Sequence, residues 1–470
     1  MFLGSSSVDP ARPALFDAPT GRWWGHSELR QAAAALAGRL APATGGLAFL
    51  LSRNVVGSVI AYLACVEASV PVLLLDARTR PEDIRNLLAI YDPGVILTVD
   101  ETSPGTGHER VPDEHGVGLW WGRTGGRHQR ANPNLAVLLS TSGSTGSPKL
   151  VRLTRRNLEA NAESIRASLA IDAGERGMAS LPLFYSYGLS VLNSHLVAGA
   201  SVVLTDGTVA SPHFWKLFRT QGCSSMPGVP YTYDLLLRIG FESIEAPSLR
   251  TITQAGGRLA PELVLRIHAE MARRGGRLHV MYGQTEATAR IACMPRDRLP
   301  DKARSVGVAI PGGRLSIDVG DGRAGAPTEQ GAIEYSGPNV MMGYAESRAD
   351  LALGDEMQGV LPTGDLGFLD EEGFLHITGR SRRIGKVLGM RVNLDEVEAR
   401  LRSRGPTAVV AGSDGLVIYC EYGDEALFSA LAQELARDLR ATPESFSFRR
   451  IPALPLGASG KPDYRMLAAG

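Results

Sequence analysis

Along the first two hundred residues, apolar positions recur every third or fourth residue or gather in short unbroken runs, and the two patterns alternate. The spacing predicts a helix over His26–Leu40, a strand over Leu47–Leu51, a helix near Val56–Ala68, and strands over Val72–Leu75 and Val95–Val99. This is the rhythm of βαβ units, in which a parallel sheet is covered on both faces. Residues 56–75 run for twenty positions with Glu67 as the single charge and with Pro71 near the end. That predicts a buried helix handing over to a buried strand rather than a membrane span. Residues 100–134, rich in Gly, His, Pro and charge, are expected to be irregular before a strand at Leu135–Leu139. The stretch 151–166 (VRLTRRNLEANAESIR) is predicted to be helical, with Asn157 and Asn161 along it.

The pattern changes after Gly307, where short strands are separated by Gly and Pro up to Tyr344, as in a small antiparallel or distorted barrel unit. A second break falls at 379–386 (GRSRRIGK), between a strand-like FLHITG and a helical NLDEVEARLRSR. A domain boundary is expected there, leaving a segment sized for a compact α+β lid.

At 470 residues the chain is roughly three times the usual single-domain length, so two or three packed units are expected. Lys and Arg number 49, as do Asp and Glu, so the formal net charge is zero. With no overall field to hold nucleic acid or an anionic membrane, any bound anion must be met by a local site. Cysteines at 65, 223, 293 and 420 form neither a disulfide framework nor a metal spacing, which points to a reducing cytoplasm. The first residues, MFLGSSSVDPARP, do not read as a signal peptide.

The most informative local chemistry is at Ser140–Lys149, STSGSTGSPK, directly after the apolar strand. Small residues let backbone N–H groups converge, hydroxyls add donors and one lysine adds charge, making a cradle for phosphate oxygens. It is not a Walker A loop, because Pro148 separates glycine from lysine. This loop carries in full the [ST]SG[ST]TGxPK pattern, and in that respect the chain resembles the adenylate-forming superfamily of acyl- and aryl-CoA synthetases, firefly luciferase and peptide-synthetase adenylation domains. Further landmarks of that family follow in order: LPLFYSYGLS (181–190), AGGRLAPEL (255–263), MYGQTEA (281–287), GPNVMMGY (337–344), TGDLG (363–367), GRSRRIGKVLGMRVNLDEVE (379–398) and GASGKPDYR (457–465).

The resemblance implies an α/β fold: a large N-terminal domain of stacked α/β sheets over residues 1–379, with a small distorted β-barrel at about 305–379, and a small mobile α+β C-terminal domain over 380–470. It implies that a carboxylic acid is joined to the α-phosphate of ATP, pyrophosphate leaves, and the acyl group passes to a thiol. ATP and Mg²⁺ are the implied cofactors. By the same resemblance Thr141, Ser142, Gly143, Ser144, Thr145, Gly146 and Lys149 hold phosphate, and Tyr282 lies against adenine. Thr285 meets the α-phosphate, Glu286 the magnesium, and Asp365 the ribose with Arg380 as companion. Lys461 would act in the adenylation step by neutralising charge, as an ammonium near two anions stays protonated. Arg382 takes the hinge position, and Gly389 the place where a pantetheine arm enters.

The acyl pocket implied by the resemblance is bounded by Tyr185, Ser186, Gly228, Gly256 and Gly257, the last two leaving room for an aryl or linear acyl group. Phe184–Tyr187 contain no acid where peptide synthetases carry an aspartate, so an α-amino acid would lose its charge partner and is disfavoured. Tyr185 stands where CoA synthetases and luciferase usually place His. The acceptor is expected to be CoA or the phosphopantetheine of a separate carrier protein. A stand-alone amide-forming ligase and a non-catalytic nucleotide-binding relative are the alternatives.

Overall fold

A computed structural model describes residues 9–99, 108–122, 130–140, 149–320, 323–380, 384–387, 390–412, 415–439, 441–457 and 461–469. Two large sheets organise the chain. One has eight strands with a parallel centre: Ala48–Ser52 lies between Val72–Asp76 and Val95–Thr98, and Leu135–Ser140 joins beyond Val72–Asp76. The other has nine strands, among them Pro13–Asp17, Arg176–Ala179, Ser201–Leu204, Ser225–Gly228, Thr251–Gln254 and Arg277–Tyr282, all parallel-paired.

Helices His26–Leu40, Val56–Glu67, Arg155–Leu169 and Ser186–Val197 pack between the sheets. Strand alternation divides the cores. Ala48 and Leu50 face these helices, whereas Phe49 and Leu51 face a second cluster with Ile84 and Tyr91. In the other sheet Val202 and Leu204 face inward, and Val203 faces Phe214, Phe218 and Leu236. Every residue from Val56 to Val66 is buried, which accounts for the long apolar run. Each large side chain so buried contributes about 1.5–3 kcal/mol. Among the described residues, no helix is long and apolar enough to cross a membrane.

Two expectations are corrected. His108–Glu114 and Val117–Gly122 form an antiparallel hairpin that extends the eight-stranded sheet from Val95–Thr98, where an irregular stretch was expected. Leu150–Thr154 is a strand antiparallel to Leu135–Ser140, and the helix starts only at Arg155, where Thr154 and Asn157 form a reciprocal cap. The element that follows the Ser/Gly motif in sequence is therefore a strand and not a helix.

Arg314–Asp318, Gly331–Ser336, Val360–Leu369 and Leu375–Arg380 make a four-stranded antiparallel sheet. After it the chain builds a separate core. Val387 and Val392, from the hairpin Ile384–Val387 and Met390–Asn393, pack with Leu416, Ile418 and Leu431 of a three-stranded unit and its helices.

Candidate active site

A tight turn follows strand Arg277–Tyr282. Thr285–Ala287 form a single 3₁₀ turn, and Ala292–Cys293 then pairs back on Met281–Tyr282. At Gly283 a Cβ would stand 1.7 Å from the carbonyl oxygen of Ala289, so only glycine fits. Thr288 and Ala289 have positive φ of 61° and 147°. Asn339 holds this strained segment: its side-chain amide donates to the carbonyls of Ala287 and Arg290, each at 2.8 Å, and its main-chain carbonyl accepts from Thr288 Oγ1 at 2.6 Å. The Met341 N–H donates to the Glu286 carbonyl at 2.9 Å. The GPNVMMGY landmark thus pins the YGQTEA landmark.

Asp365, 3% exposed, lies opposite Arg380 in the ladder between their strands. Its Oδ1 accepts from Arg380 Nε at 3.1 Å, and its Oδ2 accepts from Gln284 Nε2 at 2.7 Å and from the Tyr282 hydroxyl. Burial first, and the Asp365 charge second, push the Tyr282 phenol well up, so it stays protonated and donating. Gln284 also donates to the Thr363 carbonyl at 2.8 Å, which squares the group against the sheet.

Glu286 is half-buried, and its Oε1 accepts from Tyr344 Oη at 2.8 Å. Lys149 Nζ stands 3.8 Å from the centre of the Tyr344 ring and 3.9 Å from Glu346 Oε1. One tyrosine therefore joins the end of the Ser/Gly loop to the carboxylate. A single partly open carboxylate fits Mg²⁺, which keeps several waters and takes other ligands from phosphate.

Lys461 reaches this site from the last segment of the chain. Gly457 N–H donates to the Lys461 carbonyl at 2.8 Å, Asp463 N–H to the Pro455 carbonyl at 2.7 Å, and Tyr464 Oη to the buried Glu398 at 2.9 Å. Burial pushes the Lys461 ammonium down to about 8, assisted by Arg380, while Asp365 and Glu286 oppose the shift. The charges that act on Lys461 thus come from Arg380, Asp365 and Glu286, all outside the last segment. Arg402 Nη1 adds a second link, donating to the Arg258 carbonyl at 3.2 Å.

Ser186 Oγ lies 3.1 Å from Thr285 Oγ1, joining the start of helix Ser186–Val197 to the turn. The room expected beside the glycines is partly occupied. A Cβ on Gly256, whose φ is +85°, would stand 2.7 Å from Tyr185 Oη, and one on Gly228 would stand 2.7 Å from the Tyr233 ring. A Gly257 Cβ would meet Pro230 at 3.1 Å. Gly256 and Gly228 make space for tyrosines, and Gly257 for a proline. Tyr185 packs edge-on to Tyr187 with centroids 6.2 Å apart, and burial raises its phenol to about 12.

Thr141, Ser142, Gly143, Ser144, Thr145, Gly146, Arg382 and Gly389 lie outside the described residues. Of the other predicted residues, Tyr282, Asp365, Arg380, Glu286 and Lys461 converge, Lys149 joins them through Tyr344, and Thr285 joins Ser186. Gln284, Asn339 and Tyr344 were not anticipated as site residues, although each lies inside a landmark motif.

The profile of the family described as AMP-binding enzyme matches residues 5–345. An oxalate–CoA ligase of Arabidopsis thaliana is 29% identical over 71% of this chain and 67% of its own length. A sulfoacetate–CoA ligase of Cupriavidus necator is 32% identical over 69% of this chain and 65% of its own. A 2-succinylbenzoate–CoA ligase of Bacillus mycoides is 33% identical over 60% and 56%. The chain thus spans about two thirds or less of the length of these relatives. Among solved structures, O-succinylbenzoate coenzyme A synthetase (MenE) of Bacillus subtilis with ATP and magnesium superposes with a TM-score of 0.78 at 25% identity, covering 98% of each chain. ATP-bound MatB of Rhodopseudomonas palustris superposes at 0.77 and 22% identity, covering 98% of this chain and 96% of that one.

Proposed function

The chain belongs to the AMP-binding enzyme family, and from that premise we propose that it activates a carboxylic acid with ATP and passes the acyl group to the thiol of coenzyme A. An acid oxygen attacks the α-phosphorus as the bond to pyrophosphate breaks. The thiol sulfur then attacks the acyl carbon, and AMP leaves with the oxygen. Lys461 carries this reading: its segment packs through Leu454 and Leu467 on Ala408, Val410 and Tyr419, and Glu286 and Asp365 bear on its charge.

In this reading Asp365, set by Tyr282, Gln284 and Arg380, receives the ribose hydroxyls, and Thr285 faces the α-phosphate. Lys149 and Lys461 offset the charge where phosphate and carboxylate meet. Glu286 would hold Mg²⁺, which draws charge from the phosphate oxygens, and Tyr344 orients that carboxylate. The family loop 141–146 would supply the remaining phosphate donors, with Arg382 as hinge and Gly389 beside the pantetheine path. We place the boundary between a large unit, 1–379, which includes the antiparallel sheet, and a lid, 380–470. The four described cysteines are free and buried, in keeping with a reducing cytoplasm.

The acids named for the relatives above (oxalate, sulfoacetate and 2-succinylbenzoate) are small, and CoA is their named acceptor, so we favour a small acid and CoA over a carrier protein or an amine. The test is pyrophosphate and AMP formation from a panel of acids with ATP and Mg²⁺, followed by mass spectrometry with CoA present. A CoA thioester is expected. Absence of AMP with every acid overturns the activation step, and amide formation in preference to thioester overturns the acceptor.

A further inference from the structure

Two arginines rank among the most fully buried large side chains, and they are treated differently. Arg152 is saturated: its guanidinium donates to the carbonyls of Tyr344 at 3.0 Å and Leu353 at 2.6 Å and pairs with Glu356. Arg290, only 2% exposed, has no carboxylate partner among the described residues, and its Nε has no hydrogen-bond partner. Its guanidinium stacks on the face of Tyr187, 4.9 Å from the ring centre. Burial lowers its pKa, and the groups that oppose the shift are Tyr187, Cys293 and Tyr185, none of them an anion at neutral pH. A buried guanidinium with spare donors is unfavourable in the free protein and persists where something supplies the missing anion.

The surroundings indicate where that anion would come from. Arg290 and Tyr187 line one partly open cavity, together with His195 and Glu175, between helices Arg155–Leu169 and Ser186–Val197 and strands Ser225–Gly228 and Thr251–Gln254. It offers about 30 Å³, enough for one or two waters and not for an aromatic ring. The cavity adjoins the proposed reaction site: Tyr187 follows Ser186, which bonds Thr285, and Arg290 closes the strained turn that carries Thr285 and Glu286. The neighbouring hydroxyls are already engaged. Thr253 Oγ1 lies 2.7 Å from Tyr187 Oη, and Ser225 Oγ lies 3.2 Å from His195 Nε2.

Building on the activation reading above, we propose that Arg290 determines substrate specificity: it binds a second anionic group, a carboxylate or sulfonate, at the far end of a short aliphatic acid whose first carboxylate is activated. The planar fork of Arg290 matches such an oxyanion bidentately, and the cavity's size sets the short chain. Long fatty acids, and aryl acids without a second anion, are rejected, because each would bring apolar bulk against a desolvated cation.

The test compares pyrophosphate release from matched acids of one length: propionate against sulfoacetate, butyrate against succinate, valerate against glutarate. For at least one pair the doubly anionic acid should be favoured by about a hundredfold or more in kcat/KM, as expected where a site's polar groups go unmet by the lesser substrate. Arg290→Met should abolish that preference while ATP affinity holds and the melting temperature is kept or rises, because an unpaired buried charge is removed. Should Arg290→Met not fold, the wild-type protein decides by itself: the favoured dianion, without ATP, should raise its melting temperature and the matched monoacid should not. Equal use of monoacids and diacids, or a diacid preference unchanged in Arg290→Met, overturns the proposal and leaves the activation reading intact. If no acid of either kind yields AMP, both fall.

Discussion

Replacing Lys461 tests the proposed chemistry most directly, because the structure sets both a size and a pH signature for it. With the ammonium pushed down to about 8, about nine in ten copies are protonated at pH 7 and about one in ten at pH 9 in the ligand-free protein. Only the charged form offsets the charge that builds between carboxylate and phosphate. The kcat/KM for acid-dependent pyrophosphate release should therefore fall about tenfold per pH unit above 8. In kcat the same limb should move to higher pH, because bound phosphates favour the ammonium. Lys461→Ala should lower the first half-reaction by about 10²–10³, the usual range for losing one group that stabilises developing charge. Thioester formation from a supplied acyl-adenylate should stay within about threefold. Lys461→Arg, charged at all accessible pH, should retain part of the activity and lose the alkaline limb. Stopped-flow pyrophosphate release from pH 6 to 10 on the three proteins reads all of this. An identical alkaline limb in Lys461→Arg, or an equal fall in both half-reactions for Lys461→Ala, refutes the assignment. The sign for stability follows from the same shift. The unfolded chain, with lysine near 10.5, binds more protons between about pH 8 and 10.5, so this group makes stability rise with pH across that window.

Glu286→Gln should reduce magnesium-dependent turnover at least a hundredfold, and Tyr344→Phe, which removes a 2.8 Å bond to Glu286, should raise the magnesium needed for half-maximal rate about tenfold with folding intact; a metal titration reads both. Asp365→Asn should raise KM for ATP by about ten- to a hundredfold and narrow the gap between ATP and its 2′- and 3′-deoxy analogues, and an unchanged gap would remove Asp365 from the ribose. Gly283→Ala should cost at least about 3 kcal/mol in denaturant unfolding or prevent folding, because its Cβ would lie 1.7 Å from a carbonyl oxygen.

Much of the fold was legible because its periodicity is strong. Helix His26–Leu40 ends where the pattern says, and the run at 56–75 resolves into a helix and a strand as expected. The hairpin over 108–122 was missed because HERVPDE is polar and contains proline, so its pairing is decided by the neighbouring edge strand rather than by local propensity. Strand Leu150–Thr154 was read as helix because the cap that separates the two, Thr154 with Asn157, is embedded in a continuous pattern. In the site, residue identity was legible and partnership was not. No local signal says that Arg290 is buried and unpaired while Arg152 is buried and saturated, since that difference depends on segments some two hundred residues away. Gly256 likewise reads as open space until Tyr185 is placed against it.

The pairing of Asp365 with Arg380 also sets how this protein tolerates changes in length. Side chains along Leu375–Arg380 alternate between the two faces, so one residue inserted within that strand would turn Arg380 away from Asp365 and break the clamp. On the boundary proposed above, one inserted just past Arg380 would leave the clamp untouched and act on the segment that carries Lys461. A graded series of such insertions offers engineers a way to tune how far the lysine reaches while the nucleotide clamp stays fixed.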